Sequence, residues 1–182
     1  HAPDLVLSAP FGENAVYVND GTGHFEACDS GVPWGFRTQS LSAVDVDGDG
    51  LRDLGLLDAE GVRLVRNLGD CRFGDAITLL ELDHPDYRPM GLAWTDFDGD
   101  GLLDVHVAMR TAAPSVDEVQ NLPGPDRLFR GLGDWAFEEV TARLGDPANS
   151  EGHAFLSSWL DVDDDGDLDL YVTNDHGRTL VP

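Results

Sequence analysis

Lysine is absent from this chain of 182 residues, and basic residues of any kind are few. All eleven of them are arginines, against 35 acidic residues, so the formal net charge is −24. Nucleic acids and anionic membranes are bound through basic patches, and this composition argues against both as partners. An acidic surface of this kind favours the binding of cations instead.

Long apolar runs are missing as well. No run approaches the roughly 18 residues of a membrane span, so we expect no membrane insertion. No secretory leader is visible, which is also the expectation for a secreted protein whose leader was removed.

Cysteine is scarce. The two cysteines, Cys28 and Cys71, lie near equivalent turns of successive repeats. A disulfide and two free thiols both remain open, because sequence spacing alone does not determine pairing.

One aspartate-rich loop recurs along the chain. The pattern D-x-D-x-D-G-x-x-D begins at Asp45, Asp96 and Asp161. The second interval is longer than the first and has room for an insertion around residues 112–125. A second marker, a glycine turn followed by a phenylalanine, precedes each loop at a similar distance and ends at Phe25, Phe73 and Phe137. Two unrelated markers that recur at matching intervals along the chain indicate a true repeat.

Short strands are predicted between these markers. About four strands fit each module, separated by turn residues, and no helical period is evident. Repeated four-stranded units are typical of β-propeller blades. We divide the chain into repeats around 1–45, 46–96 and 97–161 and the start of a further module at 162–182. Three modules are too few to close a ring, so we expect the remaining blades on the parent protein or another chain.

The loop has the chemistry of a calcium site. Ca²⁺ takes six to eight oxygen ligands, and alternate carboxylates in a tight loop converge on one point. Loop positions 1, 3, 5 and 9 supply carboxylates, and position 7 supplies a backbone carbonyl. The predicted ligands of the three sites are Asp45, Asp47, Asp49, Leu51 and Asp53; Asp96, Asp98, Asp100, Leu102 and Asp104; and Asp161, Asp163, Asp165, Asp167 and Asp169.

Other interpretations of the loop are weaker. Aspartate and glycine also favour ordinary acidic turns, but three complete copies argue against that interpretation. An EF-hand needs a glutamate at position 12 and flanking helices, whereas this chain has Leu56, Val107 and Val172 there. Mg²⁺ is disfavoured because it prefers a smaller octahedral shell. Extra acids at Asp164 and Asp167 predict that the third loop binds Ca²⁺ at least as tightly as the others.

Residues 91–104 and 159–174 resemble FG-GAP/VCBS repeats, which build the propellers of integrin α-subunits and of cartilage-acidic-protein-like secreted proteins. The resemblance implies an all-β fold: a β-propeller fragment of about three four-stranded blades, with calcium-binding loops between strands. It also implies an extracellular, secreted or periplasmic location. It implies no single activity, since members adhere, bind sugars or decorate enzymes.

Two functions follow as expectations. The first is a calcium-binding extracellular module for binding, cell adhesion or scaffolding, with a glycan or protein ligand and no catalytic residues. The alternative is the propeller portion of a secreted lyase or hydrolase. No G-x-S-x-G, P-loop or Rossmann fingerprint is present. Weaker candidates are His153, Trp34 and Trp135 for contact with a ligand and His1 for chelation of copper, whereas Trp94 and Trp159 are predicted to serve blade packing.

Overall fold

A computed structural model describes residues 2–9, 14–30, 37–82, 87–111, 126–145 and 154–174. The predictions for His1, Trp34, His153 and the insertion at 112–125 concern residues outside these ranges. Within them the chain forms β1 (Leu5–Leu7), β2 (Ala15–Asn19), β3 (Phe25–Cys28), β4 (Ser40–Val44), β5 (Asp53–Leu57), β6 (Gly61–Asn67), β7 (Phe73–Glu81), β8 (Tyr87–Thr95), β9 (Asp104–Thr111), β10 (Arg127–Gly133), β11 (Ala136–Glu139), a 3₁₀ helix (Thr141–Leu144), β12 (Ala154–Leu160) and β13 (Asp169–Asn174). No helix in this part of the chain is long and apolar enough to cross a membrane.

The strands form four antiparallel sheets in which neighbours in sequence are neighbours in space. Their orders are β1-β2-β3, β4-β5-β6-β7, β8-β9-β10-β11 and β12-β13. The prediction of an all-β fold is therefore confirmed, and sheets of this size and connectivity are those of propeller blades. The chain divides into two compact units, His1–Glu81 and Leu82–Pro182, with two sheets in each.

The core of the first unit is centred on β5, whose five residues are all buried. Leu54 and Leu56 pack with Val65 of β6, and Val6 of the neighbouring sheet packs against this cluster. In the second unit β9 has the same place in its sheet, and residues 104–109 are all buried. A strand covered on both faces shows a continuous apolar run rather than alternation, which explains the sequence of β5; in β9 the apolar run is interrupted by the buried His106.

Both sequence markers are hairpin turns. The first two aspartate loops each join the first two strands of a four-stranded sheet, and the strand residues that flank them pair as Val44 with Asp53 and Thr95 with Asp104. The glycine turn joins the last two strands, with Asn67 paired to Phe73 and Gly131 to Phe137. The two markers recur at matching intervals because they are the first and the last hairpin turn of the same sheet.

A disulfide joins Cys28 of β3 to Cys71 in the turn between β6 and β7. It links the last strand of the first sheet to the outer hairpin of the second, within one compact unit. The alternative of two free thiols is therefore wrong for this structure.

Candidate metal centre

Three carboxylates converge in each aspartate loop. In every loop they come from positions 1, 3 and 9, and one oxygen from each lies within 4.8 Å of the others. The three groups are Asp45, Asp47 and Asp53; Asp96, Asp98 and Asp104; and Asp161, Asp163 and Asp169. Three carboxylates at this separation repel one another, so the arrangement favours a cation at its centre.

The first aspartate determines how the loop closes. Asp45 Oδ2 accepts a hydrogen bond from the Gly50 backbone N–H at 2.9 Å. The same bond joins Asp96 to Gly101 at 2.8 Å and Asp161 to Gly166 at 3.0 Å. Glycine is required at position 6 because the backbone there is left-handed, with φ +89° at Gly50. The repeated glycine is thus a requirement of backbone geometry.

The ninth aspartate anchors the loop to the sheet. Asp104 is fully buried, and its two oxygens accept backbone N–H groups from Phe97 at 2.9 Å and from Gly131 of β10 at 2.8 Å. Asp53 makes the equivalent pair of bonds in the first loop. Burial is the main cause that raises the pKa of Asp53 and of Asp104, and the N–H groups partly offset it.

Arginines contact the carboxylates at positions 3 and 5. In the first loop Arg66 Nη2 lies 2.7 Å from Asp47 Oδ2 and 3.4 Å from Asp49 Oδ2. In the second loop Arg130 donates to Asp98 and Asp100 at 2.7 and 2.6 Å. The pKa of Arg130 is raised, first of all by its hydrogen bond to Asp98.

The loop residues fit a calcium ion by two criteria. Every side chain of the converging groups offers hard oxygen donors, which Ca²⁺ prefers. In addition, Asp45 Oδ1 is buried and has no hydrogen-bond partner among the described residues. A buried oxygen without a donor is costly, and a cation at the centre of the loop would satisfy it.

The predicted ligands divide into two sets. Positions 1, 3 and 9 converge, whereas the position-5 residues Asp49, Asp100 and Asp165 lie outside these groups. Each of those three accepts the backbone N–H of the position-7 residue, Leu51, Leu102 or Asp167. The backbone carbonyls of position 7 remain predicted ligands.

Comparison with known proteins identifies the repeat. The FG-GAP-like repeat family matches residues 2–56 and 45–107, which together span more than half of the chain. The chain belongs to the FG-GAP-like repeat family. No curated protein matches the chain.

A solved structure of similar fold is a lectin of Agrocybe aegerita that recognises non-reducing terminal N-acetylglucosamine. The TM-score is 0.54 at 18% identity, and the match covers 99% of this chain and 51% of the lectin. This FG-GAP-like chain therefore spans about half the length of that structure, and the likeness concerns the fold.

The second unit of this FG-GAP-like chain also contains a polar cluster that sequence reasoning missed. The fully buried His106 of β9 places Nδ1 2.9 Å from Ser157 Oγ of β12, and its Nε2 lies 3.7 Å from Asp126 Oδ2. Asp126 also accepts the Met109 N–H at 2.7 Å. Burial lowers the pKa of His106 to about 4 and raises that of Asp126 to about 7. No sequence signal could have found the cluster, because His106 and Ser157 are 51 residues apart.

The tryptophans before the second and third loops pack inside the second unit. Trp94 contacts Phe137 edge-on, with ring centroids 6.2 Å apart. Trp159 stacks on Phe97 at 6.0 Å and donates its indole N–H to the carbonyl oxygen of Ala93. The prediction that Trp94 and Trp159 serve packing is confirmed. Trp135 lies half-buried in the turn between β10 and β11, and its proposed contact with a ligand stays a prediction.

Proposed function

We propose that this chain is a calcium-binding part of an extracellular β-propeller that serves as a non-catalytic binding, adhesion or scaffold module. The observation that carries the proposal is the repetition of one geometry, since three hairpin loops bring the same three carboxylates within 4.8 Å. The unpartnered oxygen of Asp45 and the family membership support it. The disulfide supports an oxidising, extracellular compartment.

Calorimetric titration of the purified chain with Ca²⁺ tests the metal sites. We expect three sites in the wild-type chain and two in each of the single variants Asp45→Asn, Asp96→Asn and Asp161→Asn. These changes remove one charge and keep the shape of the side chain. Asp75→Asn is the matched control, because Asp75 is exposed on β7 outside the loops. Three sites that persist in a loop variant, or a wild-type chain that takes up no calcium, would overturn the proposal.

A glycan is the ligand class that the fold comparison favours. The lectin of similar fold binds terminal N-acetylglucosamine, and the low identity makes that sugar a starting point for the search. A glycan array that includes terminal N-acetylglucosamine, probed with and without Ca²⁺, tests this proposal. Binding to glycans supports it, and binding to none of them contradicts it. Release of new reducing or unsaturated sugar ends from a polysaccharide would instead indicate the enzyme alternative.

We further propose that other blades, on the parent protein or another chain, are the structural partners. The lectin of similar fold has about twice the length of this chain. Large apolar side chains are exposed on the two-stranded sheet, where Leu156 is 56% exposed. Measurement of the solution mass tests this, since a monodisperse monomer of 19.7 kDa would contradict it.

A further inference from the structure

The arginine contacts recur at one place in two sheets. Arg66 lies in β6 and Arg130 in β10, which are the third strands of their sheets. Each is followed directly by the residue whose backbone N–H binds the ninth aspartate. The strand that anchors the loop therefore also places a guanidinium group on it.

These contacts occupy oxygens that a metal ion would need. In the first loop, Asp49 Oδ1 accepts the Leu51 N–H, and Asp49 Oδ2 accepts from Arg66. Asp100 is occupied in the same way by Leu102 and Arg130. Both oxygens of the position-5 carboxylate thus have internal donors, and this carboxylate lies outside the converging group. A cation that recruits the fourth carboxylate meets the positive charge of the guanidinium group there and competes with it for the carboxylate.

The third loop differs. In the part of the chain that the structure describes, no arginine contacts Asp163 or Asp165, and Asp165 Oδ1 accepts only the Asp167 N–H. The second loop is at the other extreme, because Arg143 adds a contact at 3.6 Å to Asp98 besides the pair made by Arg130. Among the described residues, arginine contacts with the carboxylates at positions 3 and 5 therefore increase from the third loop to the first to the second.

We propose that Arg66 and Arg130 are resident counterions that compete with a divalent cation for the first two loops, so that calcium affinity decreases from the third loop to the first to the second. This inference rests on the proposed calcium-binding function. The alternative role is positioning, in which the arginine orients the carboxylates and remains in place when the metal binds. The two roles have opposite signs, because removal of the arginine strengthens metal binding under competition and weakens it under positioning.

The variants Arg66→Met and Arg130→Met test the competition by Ca²⁺ calorimetry on the full chain. Arg66→Met is tested in the background Asp96→Asn/Asp161→Asn, which leaves the first loop as the one proposed site. Arg130→Met is tested in the background Asp45→Asn/Asp161→Asn, which leaves the second loop. We expect each arginine substitution to raise the affinity of its own loop about two- to fivefold, the range of an exposed ion pair.

Arg52→Met is the charge-matched control for the first loop. Arg52 is exposed at position 8 of the loop, so its removal deletes one nearby charge. If Arg52→Met raises the calcium affinity less than Arg66→Met does, the difference comes from the direct pairing of Arg66 with the carboxylates and not from the loss of one nearby positive charge. Arg66→Lys keeps the charge and loses the planar guanidinium group, and we expect an affinity between those of wild type and Arg66→Met. Equal gains in Arg66→Met and Arg52→Met, or a loss in Arg66→Met, would refute the competition.

A second measurement needs no arginine variant. Among the single variants Asp45→Asn, Asp96→Asn and Asp161→Asn, we expect Asp161→Asn to eliminate the tightest site and Asp96→Asn the weakest. If the wild-type chain binds three calcium ions but the variants rank the sites in a different order, the inference is contradicted and the proposed function is not. A wild-type chain without calcium binding contradicts the proposed function itself, so the two failures are distinguishable.

Discussion

Individual side chains in this protein carry two tasks at once, and the ninth aspartate of each loop is the clearest case. Asp104 belongs to the converging carboxylates, yet its two oxygens already accept backbone N–H groups, one from Phe97 of its own loop and one from Gly131 of β10. A bond of the same form joins the Asn19 N–H to Asp4 Oδ1 at 2.9 Å.

Asp104→Asn should destabilise the fold even when calcium is absent. Asparagine has one acceptor oxygen, so it leaves one of the two buried N–H groups without a partner, at a cost of about 1–3 kcal/mol. Urea unfolding in the presence of chelator measures this cost. Asp75→Asn, exposed on β7, should change the free energy of unfolding by less than about 0.5 kcal/mol. Equal stability of the two variants in chelator would show that Asp104 acts through the metal alone.

The buried carboxyl of Asp126 predicts a pH dependence. Its pKa is raised from 3.8 to about 7, chiefly by burial, with smaller opposing effects of the Met109 N–H and of Arg127. Because the folded chain binds this proton more tightly than the unfolded chain, the stabilisation is complete below about pH 4 and is lost as the pH rises through 7. Asp126→Asn can still accept the Met109 N–H and does not ionise. Its free energy of unfolding should therefore rise relative to wild type between pH 5 and pH 8, and a difference that is constant across this range contradicts the assignment.

At the scale of elements, the hairpins are locally specified. The turn of β6 and β7 has Asp70 and Cys71 in left-handed backbone, and the turn of β10 and β11 has Asp134 and Trp135 in the same conformation. The two turns share their geometry although one carries a cysteine and the other a tryptophan. The disulfide of Cys71 is thus added to a hairpin whose shape does not depend on it.

Reduction of the disulfide should lower the stability of the first unit. The bond joins residues 43 apart in sequence, and constraint of the unfolded chain over such a loop contributes about 4 kcal/mol at most. Chemical unfolding with and without a reductant measures the loss, which we expect to be at least about 2 kcal/mol. The double variant Cys28→Ser/Cys71→Ser is the control, because its stability should not respond to the reductant. An unchanged wild-type stability on complete reduction would show that the link carries no stabilisation.

At the scale of the whole molecule, the net charge of −24 dominates the electrostatics. The proposed calcium ions would lower the repulsion where it is densest, in the loops. Each site at a hundredfold excess of Ca²⁺ over its Kd would stabilise the native chain by about 2.7 kcal/mol.

Thermal melts in calcium and in chelator should consequently differ by many degrees, with the higher Tm in calcium. Part of the difference should persist at high salt, because screening weakens the repulsion between carboxylates without replacing the ligand bonds. Mg²⁺ at the same concentration is the matched control and should stabilise less, since it keeps its waters and prefers a smaller shell. Identical melts in calcium and chelator would contradict a structural role for the metal.

The sequence by itself determined the repeat, the all-β fold and the converging aspartates, because these depend on neighbours in the chain. Tight hairpin loops bring alternate side chains together, so the spacing predicted the convergence of Asp45 and Asp47, whereas Asp49 at the next alternate position lies outside the converging group. The tertiary structure alone decided the disulfide, the pairing of Arg130 with Asp98 across 32 residues, and the burial of His106 beside Ser157. Those contacts depend on strand register and on the packing of one sheet against the next, and no local pattern encodes either of them.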